Sequence, residues 1–378
     1  MPPPSAIAPE LVAEGVRMAS ICNACRYCEG YCAVFPALER RLDFVEGDLA
    51  YLANLCHNCG SCYHACQYAP PHEFAVDFPR MLADVRGASY RKYAWPDALA
   101  RLFERNGLVL SVATAAMVAL FLAAAGYASG STAFFAAHAD SEGAFYALLP
   151  HAAMAWSFGI VFVLAIVVLG VGAVRFWRDA GERPRDFAAA APLGEALTDT
   201  LTLKHLDGGG EGCTYPDERP SKLRRAFHHV AFYGFMLCFA STCIATIYHY
   251  ILHRPAPYPL ASLPVVLGTL GGLGLVIGAS GLLWLRARSD PALASREQTG
   301  MDVAFIVLLM LVGITGLALL ALRETAAMGV LLAAHLGAVM AFFLTLPYGK
   351  FVHGVYRFAA LVRYHVERKR PLPEIGSE

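Results

Sequence analysis

The chain has 378 residues, of which 57% are hydrophobic and only 16% charged, with a formal net charge of zero. Soluble domains are nearer half apolar and a quarter charged, so a mean hydropathy of +0.47 excludes a disordered chain and argues against a wholly soluble one. The balanced charge creates no global field for nucleic acid.

The N-terminal stretch MPPPSAIAPELVAEG has neither a basic n-region nor an apolar h-region, so it does not read as a secretory signal. The head that follows is expected to stay in the cytoplasm, where cysteines rarely pair as disulfides. Two cysteine runs dominate it: Cys22-x2-Cys25-x2-Cys28-x3-Cys32 and Cys56-x2-Cys59-x2-Cys62-x3-Cys66, each with a proline four residues on (Pro36, Pro70). This is the spacing of two-cluster ferredoxins. Three thiolates two residues apart can wrap three corners of a cubane, and the fourth points away to the other cluster. The expected sets are Cys22, Cys25, Cys28 and Cys66 for one [4Fe–4S] cluster, and Cys56, Cys59, Cys62 and Cys32 for the second. Zinc sites use paired knuckles rather than a triple run repeated twice. A helix over 43–55 separates the runs. His57 and His64 read as surface residues or as tuners of potential through hydrogen bonds to sulfur, not as ligands.

Residues 87–107 are basic and aromatic, with Tyr93, Trp95, Arg101 and Arg105, and suit either a headgroup interface or a solvated linker helix. Six apolar stretches then follow, over 108–128, 151–175, 226–251, 262–285, 302–322 and 326–348, each near the ~20 residues needed to span a bilayer. The connection 175–225 carries nine Lys and Arg, the connection 286–301 adds Arg286, Arg288 and Arg296, and the tail adds six more, whereas the opposite side holds only Arg254 and Arg323. By the positive-inside rule both termini and the cysteine head face the cytoplasm.

Seven histidines lie in or beside the spans: His151, His228, His229, His249, His253, His335 and His353. Ionisable groups in a bilayer are costly and point to function. His335 and His353 are 18 residues apart. On one continuous helix that is five turns, with both on one face and about 27 Å apart, although Pro347 can kink it. The third span supplies partners, His228 or His229 at its start and His249 near its end. Ideal geometry favours His228, about 60° from the face of His249, over His229, about 200° away. The two spans run antiparallel, which predicts His353 opposite His228 or His229 and His335 opposite His249, two levels for bis-histidine haem b. The spacing leaves one haem or two open, and His151 competes for the outer level.

The connection 206–216 (LDGGGEGCTYP) has no strand before it, so it is not a dinucleotide fingerprint. It reads as a flexible loop first, and otherwise as a lid over the inner haem or a dock for the head. Cys213, Cys238 and Cys243 show no ligand spacing. The glycines from Gly268 to Gly281 suit close helix packing.

The expected fold is mostly α. Residues 1–86 form a cytoplasmic helical dicluster ferredoxin-like domain, 87–107 an interfacial linker, and 108–353 a cytochrome b-like six-helix transmembrane bundle with a cytoplasmic loop at 178–222. Residues 354–378 form a basic cytoplasmic tail.

These features carry a family resemblance. The tandem cysteine runs, Arg224-Arg225-x-x-His228-His229, the Leu206-Asp207-Gly208-Gly209-Gly210 loop and Leu346-Pro347-Tyr348-Gly349-Lys350-Phe351-Val352-His353 resemble the tricarballylate-utilisation protein B (CitB-type) family over almost the whole chain. The His335 to His353 segment is also similar to the last haem-bearing helix of the respiratory nitrate reductase cytochrome b subunit. Related domains are fused to a flavoprotein in cobalamin synthesis. The resemblance implies a multi-pass inner-membrane electron carrier that reoxidises an FAD-dependent dehydrogenase, in that family one converting tricarballylate to cis-aconitate, and passes electrons to membrane quinone. The chain itself shows no nucleophile or acid–base constellation. A tricarboxylate transporter would need inverted repeats and broken helices, and would leave eight cysteines without a role. A membrane redox sensor would leave the buried histidines without one.

Overall fold

The computed structural model describes residues 7–138, 143–293 and 295–371. The start of the N-terminal leader and the end of the basic tail lie outside the described residues. The head is built from α1 (Pro9–Cys25), α2 (Val34–Leu38), α3 (Glu46–Leu55), α4 (Ser61–His64) and α5 (Phe78–Tyr93). Helix α3 is its centre, with Leu49, Ala50, Tyr51, Leu52 and Ala53 wholly buried. A helix that is apolar nearly all round belongs inside a core. Helix α5 begins at an Asp77 cap, whose carboxylate accepts the Arg80 amide at 3.2 Å.

Helix α5 reaches Tyr93, so residues 87–93 of the expected linker are the last turns of a head helix. Tyr93 is buried, and Lys92 bridges Glu46 and Asp179 at 2.7 Å each. The remainder of that stretch contains α6 (Asp97–Leu102), with Leu99 and Leu102 exposed.

The first span is α7 (Asn106–Ser129). Short helices α8 (Ser131–Phe134) and α9 (Ala144–Leu148) lead to the second, α10 (His151–Asp179). Helices α11 (Pro184–Phe187) and α12 (Ala190–Thr202) and a two-stranded hairpin, β1 (Cys213–Thr214) with β2 (Pro220–Ser221), fill the next connection. Spans three to six are α13 (Leu223–Tyr250), α14 (Leu263–Arg288), α15 (Arg296–Leu322) and α16 (Met328–Thr345). Among the described residues these six helices are long and apolar enough to cross a membrane, which makes this a multi-pass membrane protein. Helices α13 and α14 meet backbone to backbone. A Cβ on Gly234 would lie 2.7 Å from the Leu275 nitrogen, and one on Gly271 2.7 Å from the Cys238 nitrogen. The glycines of the fourth span therefore serve close packing, as their spacing suggests.

Two sequence expectations are corrected at the C-terminus. The sixth span does not run on to His353: α16 stops at Thr345, the chain turns around Pro347 and Gly349, and α17 (Val352–Arg368) starts anew. Nor is the described part of the expected basic cytoplasmic tail, 354–371, separate from the head. Helix α17 packs into the head, with Tyr356, Ala360, Val362 and Glu367 buried. Its Glu367 pairs with Arg41 at 2.6 Å and with Arg363 at 2.9 Å, and His365 meets Asp199 of α12 at 2.9 Å.

Candidate functional site

Both cysteine runs hang on helix ends. Helix α1 finishes at Cys25, and Arg26 takes a left-handed conformation (φ 55°) that turns the chain back toward Cys28. Helix α3 finishes one residue before Cys56, and Asn58 is left-handed in the same way (φ 52°), with its amide 3.3 Å from Cys56 Sγ. The two turns point the runs at each other. Cys32, Cys56, Cys59 and Cys62 line one hollow, walled by Phe35, Phe78 and Leu82. Burial raises the Cys22 and Cys28 thiols to about 12, and for both Cys66 is the neighbouring charge felt most strongly. The fourth cysteine of each run thus lies with the first three of the other. Among the described residues no three His, Cys, Asp or Glu side chains converge on the space of a single metal ion; a cubane presents a separate iron to each thiolate.

The glycine loop is neither free nor a phosphate cradle. It lies on both runs: a Cβ on Gly209 would sit 3.2 Å from the Gly30 oxygen, and one on Gly60 would sit 2.7 Å from the Thr214 oxygen. This close approach needs glycine, and Gly60 and Gly209 also hold positive φ angles of 82° and 85°. The loop delivers Cys213, fully buried, against Cys59. The two residues pack together in one buried cluster; the neighbouring Cys213 lowers the Cys59 thiol from its ordinary value, while the same contact and burial push Cys213 up. Sequence reasoning gave Cys213 no role, because its partner is 154 residues away and no local spacing announces it.

Arginines surround the second run. Arg86 and Arg357 donate to the Cys56 carbonyl at 2.7 and 2.8 Å, and Arg224 donates to the Asn58 carbonyl at 2.6 Å. They cap the end of α3 and set positive charge beside the thiols. His57 is half-buried rather than on the surface. Desolvation, with Arg357, His205, Arg224 and His228 nearby, pushes its pKa well below the ordinary value, so it is neutral.

Of the inner histidines, the structure brings His228 and His353 together. His228 and His353 face each other with ring centroids 6.2 Å apart and planes at 84°. His229 turns to Tyr233 instead, at 5.9 Å. Two imidazoles bonded to one metal at about 2 Å each stand about 6 Å apart by centroid, so the observed 6.2 Å separation fits an iron between them. His353 Nδ1 lies 2.5 Å from the Lys350 carbonyl; donation there leaves Nε2 as the free base, the usual way a ligand histidine is oriented. Beyond this level α13 faces α10, α16 and the α17 entry across aromatic side chains. Phe235 is 5.7 Å from both Phe342 and Phe351, and Phe162 is 5.6 Å from Phe343. An apolar planar group suits such a lining.

The outer pair is corrected. His249 stacks on His151 at 3.7 Å with planes 17° apart, which leaves no room for a metal between them, and the Tyr146 hydroxyl lies 3.3 Å from its Nδ1. His335 lies against α15, its Nδ1 3.1 Å from Thr315 Oγ1 and its ring under Gly316. The structure does not bring His335 and His249 together. The break before α17 also removes the five-turn register that paired His335 with His353.

Comparison with known proteins now bears on this arrangement. The family model described as Citrate utilization protein B matches residues 104–374, and that of the Citrate utilization protein B Fer4-like domain matches residues 15–92. The chain belongs to the citrate utilization protein B family. It is 51% identical to the "Citrate utilization protein B" of Escherichia coli over 95% of this chain and 93% of that protein. No solved structure matches the chain. The family assignment agrees with the resemblance read from the cysteine runs and the His228 and His353 motifs, and the N-terminal domain is Fer4-like.

Proposed function

We propose that this chain is a membrane electron-transfer protein for tricarboxylate utilisation, which reoxidises the reduced flavin of a partner dehydrogenase and delivers the electrons to membrane quinone. The observation that carries the reading is the nearness of two crossed thiol sets to a facing histidine pair. Cys22, Cys25, Cys28 and Cys66 would hold one [4Fe–4S] cluster, and Cys56, Cys59, Cys62 and Cys32 a second. His228 and His353 would hold one b-type haem, and His249 and His335 are left out of it. When bound, these groups supply one-electron chemistry, which a two-electron flavin and a two-electron quinone need between them.

The chain's own part is positioning and electrostatics. Arg86, Arg224 and Arg357 place cationic charge beside the second thiol set, which favours an added electron there. Arg357, one helical turn after His353 on α17, donates to the Cys56 carbonyl at 2.8 Å, so the histidine pair and the second cysteine run are joined through one buried side chain. Loop charge supports placing both termini and the head in the cytoplasm, where a soluble FAD dehydrogenase can dock. Identity with the citrate utilization protein supports a tricarboxylate as the partner's substrate, tricarballylate by the resemblance.

The test reconstitutes this chain in liposomes with the flavoprotein, its substrate and a quinone analogue. Quinone reduction is expected only when this chain is present, and Cys25→Ser is expected to abolish it. Equal quinone reduction by the flavoprotein alone would overturn the reading.

A further inference from the structure

Helix α12 (Ala190–Thr202) has two unlike faces. One belongs to the protein interior: Pro192, Ala196 and Asp199 are buried, and Asp199 meets His365 of α17 at 2.9 Å. The opposite face carries Ala190, Gly194, Leu197 and Leu201, three or four residues apart, a spacing that lines them up in one stripe of a helix. All four are exposed, Leu197 by 49% and Leu201 by 39%. The stripe holds no polar side chain, and neither the cysteine runs nor the histidine pair uses it.

Its level against the third span identifies the occupant. Tyr233 of α13 donates its hydroxyl to the Leu201 carbonyl at 2.9 Å, and Arg225 donates to the Thr202 carbonyl at 2.8 Å. Helix α13 starts at Leu223, so Tyr233 stands about 15 Å along it. Side chains lean back toward the helix start, and even a full turn of lean leaves the hydroxyl about 10 Å in. With 28 residues α13 is about 42 Å long, against a hydrocarbon core of ~30 Å. The Leu201 carbonyl therefore lies at the bilayer boundary rather than above it, the level at which tyrosines gather. Val230 and Tyr233 are themselves 38% and 46% exposed, so the stripe of α12 continues the lipid-facing side of the span. Arg178, Arg183 and Arg185, all exposed just before α12, supply the positive charge that holds an amphipathic helix on anionic headgroups. A protein partner fits less well, because two part-exposed leucines, an alanine and a glycine offer far less than the ~800 Å² per side of a stable interface.

We propose that α12 is a lipid-binding surface helix, which rests its Leu197–Leu201 stripe on the bilayer on the side of the head and draws anionic phospholipid to the arginines before it. The connection between the second and third spans is then partly a membrane element rather than a loop in water. From Thr202 the chain runs directly into the glycine loop that lies on the cysteine runs, so the bilayer seats the start of that loop.

The experiment uses the full chain in liposomes of phosphatidylcholine and phosphatidylglycerol that contain a phospholipid with a photoreactive diazirine at the top of one acyl chain. Peptides covering 190–202 are expected to take up label about tenfold above the peptide around Tyr27, an apolar side chain exposed on the head. Leu197→Glu combined with Leu201→Glu is expected to bring 190–202 down to the level of that head peptide, with label in α13 and the iron and sulfide content unchanged. Leu197→Phe is expected to keep the label. Omitting phosphatidylglycerol is expected to lower label in 190–202 about threefold. Wild-type label in 190–202 no higher than around Tyr27, label indifferent to the double substitution or to phosphatidylglycerol, or cross-linking of α12 to a second copy of the chain in place of lipid would each overturn the proposal.

Discussion

Glu367 is the most exacting place to test how the C-terminal helix holds the head. Its carboxylate lies 2.6 Å from Arg41 and 2.9 Å from Arg363, and accepts the Tyr51 hydroxyl at 3.1 Å. Both guanidiniums also lie over the Tyr51 ring, at 4.9 and 4.1 Å, with each arginine side chain only 8% exposed. Glu367→Gln keeps the shape and removes the charge, leaving two cations buried together. Breaking a buried pair costs roughly 3–5 kcal/mol. Asp48 still touches both arginines, at 2.7 and 3.4 Å, and Glu182 lies 3.5 Å from Arg363, so the low end, about 3 kcal/mol, is expected. At ~1.4 kcal/mol per tenfold this makes release of α17 roughly a hundredfold more frequent. Native-state amide exchange reads it directly: amides of α17 and of α3 beneath it should exchange about a hundredfold faster, while those of α14 stay unchanged. Exchange in α17 within threefold of wild type would refute the claim that this buried carboxylate fastens the C-terminal helix to the head.

Other substitutions probe the remaining parts. His228→Ala and His353→Ala should each abolish haem binding, whereas His249→Ala, His335→Ala and His229→Ala should retain it, as read from the haem spectrum of purified protein. Cys213→Ala should leave iron and sulfide content unchanged and shift the potential of one cluster only, since the group packed on the Cys59 sulfur tunes it; redox titration followed by electron paramagnetic resonance checks this. Cys66→Ser should damage the cluster held by the first run rather than the second. Gly271→Leu should drive a side chain into the α13 backbone and destabilise the bundle by about 3 kcal/mol or more, seen as a lower thermal midpoint in detergent.

Much of this architecture was legible because its signals are local. Triple C-x2-C spacing fixes how thiols can wrap a cubane, and ~20-residue apolar runs declare spans. His228 was preferred over His229 from helical angle alone, and it is the one that faces His353. What was missed depends on distant contacts. Pro347 and Gly349 end α16, and once the helix breaks, an angular argument from His335 to His353 no longer holds. The basic residues of the C-terminal segment read only as a basic tail because their carboxylate partners, Asp48, Glu182 and Asp199, lie elsewhere in the chain. The glycines at 208–212 signalled an unusual backbone but not its purpose, which is contact with the cysteine runs.

The most direct test of the central claim is metal, sulfide and haem analysis of anaerobically purified protein, together with its reduced-minus-oxidised spectrum. Two cubanes and one haem predict about eight non-haem irons and about eight acid-labile sulfides per chain, with a low-spin b-type spectrum that disappears in His353→Ala. Near-stoichiometric zinc without acid-labile sulfide, or a haem content unaffected by both His228→Ala and His353→Ala, would contradict the account.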